Sequence, residues 1–138
     1  MIKIGTRPRV YVCSPLRAPD SETPALHLTW ARAMCLKAWT AGYVPLAPHL
    51  YFPQLLDDDD PHTRAAGISL GIDLLLTVSQ VFALGIPVSD GMSRELEAAM
   101  HHSILVRFWS LADIASQIAT LPPPPPSTGT MVPATGPR

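Results

Sequence analysis

The sequence carries little charge, contains two cysteines and lacks any long apolar run. Its 138 residues include ten Lys and Arg and eleven Asp and Glu, while 47% of the residues are apolar. Because the basic residues are scattered and the net charge is −1, no row of cations could neutralise a row of phosphates, which argues against a nucleic acid polymer as partner. No apolar stretch approaches the ~20 residues of a bilayer span, and no leader pattern opens the chain. We therefore expect a cytoplasmic protein without a membrane partner.

Acidic metal ligands cluster at one place only. Asp57–Asp60 stand directly before Pro61 and a helical pattern, which favours a helix N-cap with proline in the first helical position. A divalent metal site is the alternative, but the alternating ligand spacing of a calcium loop is missing. Cys13 and Cys35 lie in apolar runs and are predicted to be buried thiols. We expect no metal.

Short β-branched and aromatic runs alternate with helical spacing along the chain. Predicted strands cover 9–14, 44–47, 80–84 and 104–109, and predicted helices cover 25–41, 63–78, 92–102 and a last segment ending near 119. Residues 1–120 are therefore predicted to form one α/β domain, a Rossmann-like three-layer sandwich around a mostly parallel sheet of four or five strands. Pro45 makes the second strand insecure, or an edge strand.

The last 18 residues have a different composition. Five consecutive prolines begin at position 122, and little apolar surface follows them. Residues 121–138 are predicted to be a Pro-rich disordered tail, either solvated or docked in an aromatic groove of another protein.

The segment between the third strand and its helix carries the strongest chemical signal. Ser89, Gly91 and Ser93 stand where free helix N–H groups could hold a phosphate or sugar oxygen. Glu95 follows in the predicted first turn, near the carboxyl edge of the sheet. Its carboxylate could bind a sugar hydroxyl or attack an anomeric carbon, or it could simply complement the helix dipole.

Three short motifs follow one another along residues 9–108. They are Val10–Pro15 near the start, the sequence A-P-H-L at 47–50, and Ser89-x-Gly91-x-x-x-Glu95. In this order they resemble the nucleoside 2-deoxyribosyltransferase-like superfamily. The likeness is greater to its uncharacterised branch, which has an A-P-H-L-Y-F loop and an S-x-G-M-x-x-E helix start.

The resemblance implies a role for several residues. Glu95 takes the place of the nucleophile of deoxyribosyltransferases and of 5′-monophosphate N-glycosidases, and Ser89 takes the place of the serine that holds the phosphate. Ser14 and Tyr11 fall at the end of the first strand, where the sugar pocket of relatives lies. Asp73 lies close to the aspartate that orients the sugar or protonates the base, although it is not cleanly in register. The third strand begins with Ser and Gln, where relatives commonly carry an acidic residue.

The aromatic loop after the second strand offers further candidates. His49 could protonate a departing base or stack on it, or its imidazole could hydrogen-bond the loop backbone. Tyr51 and Phe52 are candidates for stacking on the base. Arg64 could reach an anionic ligand or pair with the run of aspartates.

These observations favour an enzyme that cleaves or transfers the N-glycosidic bond of a nucleoside or nucleoside 5′-monophosphate. Its partner would be that small molecule, and neither metal nor organic cofactor is expected, because a carboxylate and a good leaving group suffice. The alternatives are a module that binds a nucleotide without turning it over, and a docking domain that acts through its proline tail. A homo-oligomer that completes the site from a neighbouring chain is also left open.

Overall fold

The computed structural model describes residues 4–15, 23–56, 60–85 and 88–123. In these segments strands and helices alternate along the chain. The strands are β1 (Arg9–Cys13), β2 (Val44–Leu46), β3 (Gln80–Leu84) and β4 (Leu105–Trp109), and the α-helices are α1 (Thr23–Thr40), α2 (Pro61–Leu75), α3 (Asp90–His101) and α4 (Ala115–Thr120). Short 3₁₀ turns lie at Pro48–Leu50, Phe52–Gln54 and Ala112–Ile114.

The four strands form one parallel sheet in the order β2-β1-β3-β4. Tyr11 in β1 is aligned with Leu46 on one side and with Val81 on the other. The expected α/β Rossmann-like sandwich with a mostly parallel sheet is therefore confirmed. β2 is an edge strand, as Pro45 suggested, because an edge position tolerates a residue that has no N–H.

Helices cover both faces of the sheet. The α1-side core lies between the sheet and α1 with α4, and the α2-side core lies between the sheet and α2 with α3. The α1-side core is built from Val10, Val12, Ala33, Met34, Ala38, Ala47, Phe82, Leu84 and Ile114. The α2-side core is built from Tyr11, Cys13, Leu75, Val78, Val81, Ala83, Met92 and Ala99. Successive strand residues enter opposite cores because side chains alternate across a strand.

Two N-caps position the helices of the α2 side. Asp60 accepts a hydrogen bond from the His62 amide at 2.9 Å, with Pro61 as the first helical residue, as the sequence indicated. Ser89 caps α3 by accepting from the Met92 amide at 3.3 Å. Helix α3 therefore begins at Asp90 rather than at the predicted position 92, since a serine cap satisfies the free N–H groups earlier in the chain.

Several predictions fall outside the described residues. They are the Pro-rich tail beyond 123, the loop at 16–22 that follows β1, and the aspartates at 57–59. None of the helices in the described part combines the length and the apolarity that a membrane span would need. Cys13 is a buried free thiol, whereas Cys35 is only partly buried.

Candidate functional site

A cleft opens on the α2 side of the sheet, beyond the carboxyl end of β1. This edge is where parallel α/β sheets commonly bind ligands. The cleft has a volume of about 690 Å³, its open mouth included. It is lined by Tyr11, Ser14, Pro48, His49, Phe52, Leu56, Thr63, Arg64, Gly67, Ile68, Gly71, Ser89, Gly91, Met92 and Glu95.

Glu95 is the acidic residue of the cleft. Because α3 begins at Asp90, Glu95 stands in its second turn rather than in the predicted first turn, where the helix dipole acts most strongly. Its side chain is turned inward, and the residue is only 4% exposed. A surface role as a dipole complement therefore does not account for this carboxylate.

The two oxygens of Glu95 have different surroundings. Oε1 lies 3.2 Å from Nε2 of His49, with both side chains largely buried. Oε2 is buried and has no hydrogen-bond partner among the described residues. A buried acceptor without a partner is costly, so Oε2 is available to a donor or an electrophile that enters the cleft.

His49 is positioned by the short 3₁₀ turn Pro48–Leu50. With Glu95 ionised, the ring hydrogen lies on Nε2, which donates to Oε1 of the carboxylate. The other ring nitrogen, Nδ1, is buried and has no partner within the described segments, so neither nitrogen bonds the described loop backbone. The imidazole is therefore oriented by Glu95 and keeps one nitrogen free for proton exchange.

Tyr11 lies beside the carboxylate on the same side of the sheet. Burial, followed by the negative charge of Glu95, raises the pKa of the Tyr11 hydroxyl above its ordinary value of 10.0. The same two causes raise the pKa of the neighbouring Cys13 thiol well above 9.0. The Tyr11 hydroxyl lies close enough to the Glu95 carboxylate for its pKa to be affected, but no hydrogen bond of standard geometry joins it to a described residue. Both groups therefore stay protonated at neutral pH.

Gly71 makes room for this hydroxyl. A Cβ placed on Gly71 would lie 2.9 Å from Tyr11 Oη, closer than side chains normally approach. Gly67, one helical turn earlier, also lines the cleft, but a Cβ there would meet its nearest neighbour at an ordinary 3.5 Å. Sequence reasoning did not single out these glycines, although their i, i+4 spacing within a predicted helix was the available signal.

The start of α3 forms another part of the cleft wall. Ser89 and Gly91 line the cleft at the first turn of α3, where the Met92 amide is capped by Ser89 and the amides before it have no partner within the helix. The hydroxyl of Ser14, at the end of β1, also lines the cleft and is buried without a partner among the described residues. The cleft thus combines polar groups from β1 and from α3.

Not every residue predicted for the site lies at the cleft. The structure brings Tyr11, Ser14, His49, Ser89, Gly91 and Glu95 together there. Asp73 is exposed on α2, outside the set of residues that line the cleft. Tyr51 and Ser93 are also outside that set, although the Tyr51 ring makes an edge-to-face contact with Phe52 at 4.7 Å.

The remaining wall of the cleft is largely apolar, apart from Thr63 and Arg64 near the start of α2. Phe52 and Leu56 contribute from the segment before α2, and Ile68 contributes from α2 itself. Such a surface suits the flat face of an aromatic ring. In the described segments, no group of three or more His, Cys, Asp or Glu is placed to hold a metal ion.

Comparison with known proteins locates the chain in one family. No curated protein matches the sequence. Residues 8–109 match the family model described as a domain of unknown function, DUF7768. This match runs from the start of β1 to the end of β4 and includes every residue that lines the cleft. Since it covers more than half of the sequence, the chain belongs to the DUF7768 family.

Proposed function

We propose that this chain cleaves or transfers the N-glycosidic bond of a nucleoside or nucleoside 5′-monophosphate, as the resemblance to nucleoside 2-deoxyribosyltransferase-like proteins implies. The observation that carries the proposal is the buried carboxylate of Glu95, which lines the cleft. His49 holds it through Oε1, while Oε2 has no hydrogen-bond partner among the described residues. A carboxylate in this state is a suitable nucleophile for an anomeric carbon.

The first step forms a bond between Oε2 of Glu95 and the C1′ atom of the sugar. The bond from C1′ to the base nitrogen breaks, and its electron pair leaves with the base. An imidazolium at His49 would donate its Nδ1 proton to the departing base, which becomes neutral as the imidazole does. His49 would thus supply the proton that the resemblance assigned to the aspartate, a group that the exposed Asp73 does not bring to the cleft.

The second step releases the sugar. The oxygen of a water molecule attacks C1′, the ester bond to Glu95 breaks, and Nδ1 of His49 takes the proton of that water. The carboxylate and the imidazolium are thereby restored. If another base enters in place of water, its nitrogen attacks C1′, the ester bond to Glu95 breaks and Nδ1 of His49 takes the proton of that nitrogen, so the outcome is transfer.

Different residues of the cleft would bind the sugar, the base and the phosphate of the ligand. The hydroxyl groups of Tyr11 and Ser14, which have no partner in the described part of the chain, would bind the sugar, and Phe52 offers a flat face to the base. Ser89, with the amides at the start of α3, would hold a 5′-phosphate. No metal or organic cofactor enters these steps.

Base release from a panel of nucleosides and 5′-monophosphates, followed by chromatography, tests the proposal. We expect Glu95→Gln to lower the rate by about a thousandfold or more, because the nucleophile is lost. Glu97→Gln is the matched control, since Glu97 is an exposed glutamate of the same helix. Release that survives Glu95→Gln at the normal rate would show that the nucleophile is another group.

A nucleotide-binding module is the second candidate function. It is favoured by the position of Asp73. Among the residues that the structure describes, this leaves Glu95 as the one carboxylate that lines the cleft, where the resembled enzymes use two. Tight binding of a nucleotide by the unmodified protein, without release of base from any member of the panel, would select this candidate.

Compartment and assembly complete the proposal. We expect the protein to act in the cytoplasm, where Cys13 and Cys35 would remain the free thiols seen here. We also expect a homo-oligomer, because two leucines at α2 are exposed to solvent. Leu70 lies within the helix, and Leu76 directly follows its last residue. Light scattering at several protein concentrations would measure the assembly, and a monomer at all of them would contradict this expectation.

A further inference from the structure

The cleft contains a cation that the chemistry at Glu95 does not use. Arg64, near the start of α2, lines the cleft, and its side chain is 29% exposed. Its Nη2 lies 3.7 Å from Oδ2 of Asp90, the first residue of α3. The same carboxylate oxygen lies 3.5 Å from Nη2 of Arg94. Among the described residues, two guanidinium groups therefore share one carboxylate beside the start of α3.

The two arginines differ in what they face. Arg94 is 57% exposed and lies outside the cleft-lining set, so its pair with Asp90 is a solvated i, i+4 contact of small energetic value. Arg64 makes a longer contact with the same oxygen, but it is half as exposed and borders the cleft. Arg64 is therefore the one of the pair that a ligand in the cleft can reach.

The neighbouring groups also favour an anion here. The first-turn amides of α3 carry partial positive charge, and both Ser89 and Gly91 line the cleft beside them. Ser14 adds an independent observation, since its hydroxyl is buried, lines the same cleft and has no partner in the described structure. A buried polar atom without a partner indicates that a polar ligand completes this part of the cleft.

Opposite charges thus occupy different depths of one cleft. The Glu95 carboxylate is buried, while the Arg64 guanidinium is in partial contact with solvent. We infer that Arg64, positioned by Asp90, is the specificity-determining residue that selects ligands with a terminal phosphate monoester over the same ligands without it. The identity of the rest of the ligand as a nucleoside rests on the proposed function.

Asp90 has an opposing effect in this arrangement. Its carboxylate orients Arg64, yet it also competes with the phosphate for the guanidinium and repels the phosphate. Removing the charge while keeping the shape, as Asp90→Asn does, should therefore strengthen phosphate binding.

Calorimetric titration of the full chain tests the inference. The ligands are the common deoxynucleoside 5′-monophosphates, the matching nucleosides, and ribose 5-phosphate, with Glu95→Gln as background so that turnover does not consume them. We expect Arg64→Gln to reduce the preference for monophosphate over nucleoside about tenfold, because a charge-assisted contact is lost at a partly exposed site. We expect Arg94→Gln to leave this preference unchanged and Asp90→Asn to raise it about twofold.

The preference is a ratio of two affinities measured on one variant. A fall in the fraction of folded protein affects both ligands equally, so it does not change the ratio. A preference that persists in Arg64→Gln, or that falls equally in Arg94→Gln, would overturn the inference, and so would the failure of every phosphate ligand to bind.

Base release, measured separately with Glu95 intact, reports on the proposed function. Ribose 5-phosphate that binds in an Arg64-dependent way, with no base released from any nucleotide, would support the inference while rejecting the proposed reaction. If base is released but the preference for monophosphate over nucleoside is unchanged in Arg64→Gln, only the inference is rejected.

Discussion

The two faces of the sheet differ in composition, although β1 builds both of them. Val10 and Val12 enter the apolar cluster of the α1 side, which His27 of α1 adjoins through its ring contact with Trp30. Tyr11 and Cys13 enter the α2-side core, which borders the cleft that contains Glu95. The first face contributes stability through packing. The second borders a cleft lined by Tyr11, Ser14 and Glu95, each of which has a buried oxygen without a partner among the described residues.

The largest effect that this comparison predicts is a loss of stability on the α1 side. Phe82 is 1% exposed and packs against Tyr43 and Trp109 with ring centroids 5.2 and 4.3 Å away. Phe82→Ala should reduce the free energy of unfolding by about 3–5 kcal/mol, because a cavity remains where the ring was. Denaturant unfolding followed by circular dichroism measures the change.

Phe108→Ala is the control for Phe82→Ala. Phe108 lies on the neighbouring strand β4 and is 55% exposed, so the expected loss is at most about 1 kcal/mol. Equal losses in the two variants would mean that the α1-side core does not carry the stability assigned to it.

A smaller effect is predicted on the α2 side, where Gly71 has no side chain that would clash with the Tyr11 hydroxyl. Gly71→Ala places a methyl group 2.9 Å from the Tyr11 hydroxyl, so it should cost about 1–3 kcal/mol of stability and reduce base release. Gly67→Ala is the matched control, and the gain in helix propensity should make it neutral or slightly stabilising. Thermal melting and the release assay measure both variants.

The double variant Gly71→Ala with Tyr11→Phe sharpens this test. Without the hydroxyl the clash disappears, so most of the lost stability should return while base release stays low. A double variant as unstable as Gly71→Ala alone would place the strain elsewhere.

The smallest effect concerns the hydroxyl of Tyr11 by itself. Because this buried group has no hydrogen-bond partner among the described residues, Tyr11→Phe should leave stability at neutral pH unchanged or raise it by about 1 kcal/mol. Base release should fall in the same variant. A stability loss above about 2 kcal/mol would indicate a hydrogen bond of the hydroxyl that the structure does not contain.

Alkaline pH should enlarge the difference between Tyr11→Phe and the unmodified protein. Burial and the charge of Glu95 raise the pKa of Tyr11 above 10.0, so above pH 10 the unfolded chain loses this proton while the folded chain keeps it. The stability of the unmodified protein should therefore fall as the pH rises beyond 10, and Tyr11→Phe should lose less. Parallel curves of stability against pH for the two proteins would contradict the raised pKa of Tyr11.

Most elements of the fold follow from local patterns. Short runs of β-branched and aromatic residues located all four strands, and Asp60 with Pro61 located the start of α2. Serine is also a good N-cap, yet the start of α3 was predicted two residues late. The same polar residue types occur at the N-cap and in the first helical turn, so they do not fix where the helix begins. Boundaries depend on which hydrogen bond forms, and sequence spacing does not decide that.

The site was less predictable than the fold, and Asp73 shows why. Gly71 faces Tyr11, and Asp73 follows it by two residues, which is about 200° around a helix of 3.6 residues per turn. The aspartate therefore points away from the cleft, although it lies close to the expected place in the sequence. The rotation of α2 about its axis is set by packing against β1 and α3, to which many residues contribute.

The sequence by itself determined the class of fold, the order of its elements and the edge of the sheet at which polar residues gather, because strand alternation, helix spacing and caps are local properties. Only the tertiary structure decided that His49 meets Glu95, that Gly71 makes room for Tyr11, and that Arg64 borders the cleft. These contacts join residues from separate elements, and their distances depend on how helices settle on the sheet, which no short stretch of sequence specifies.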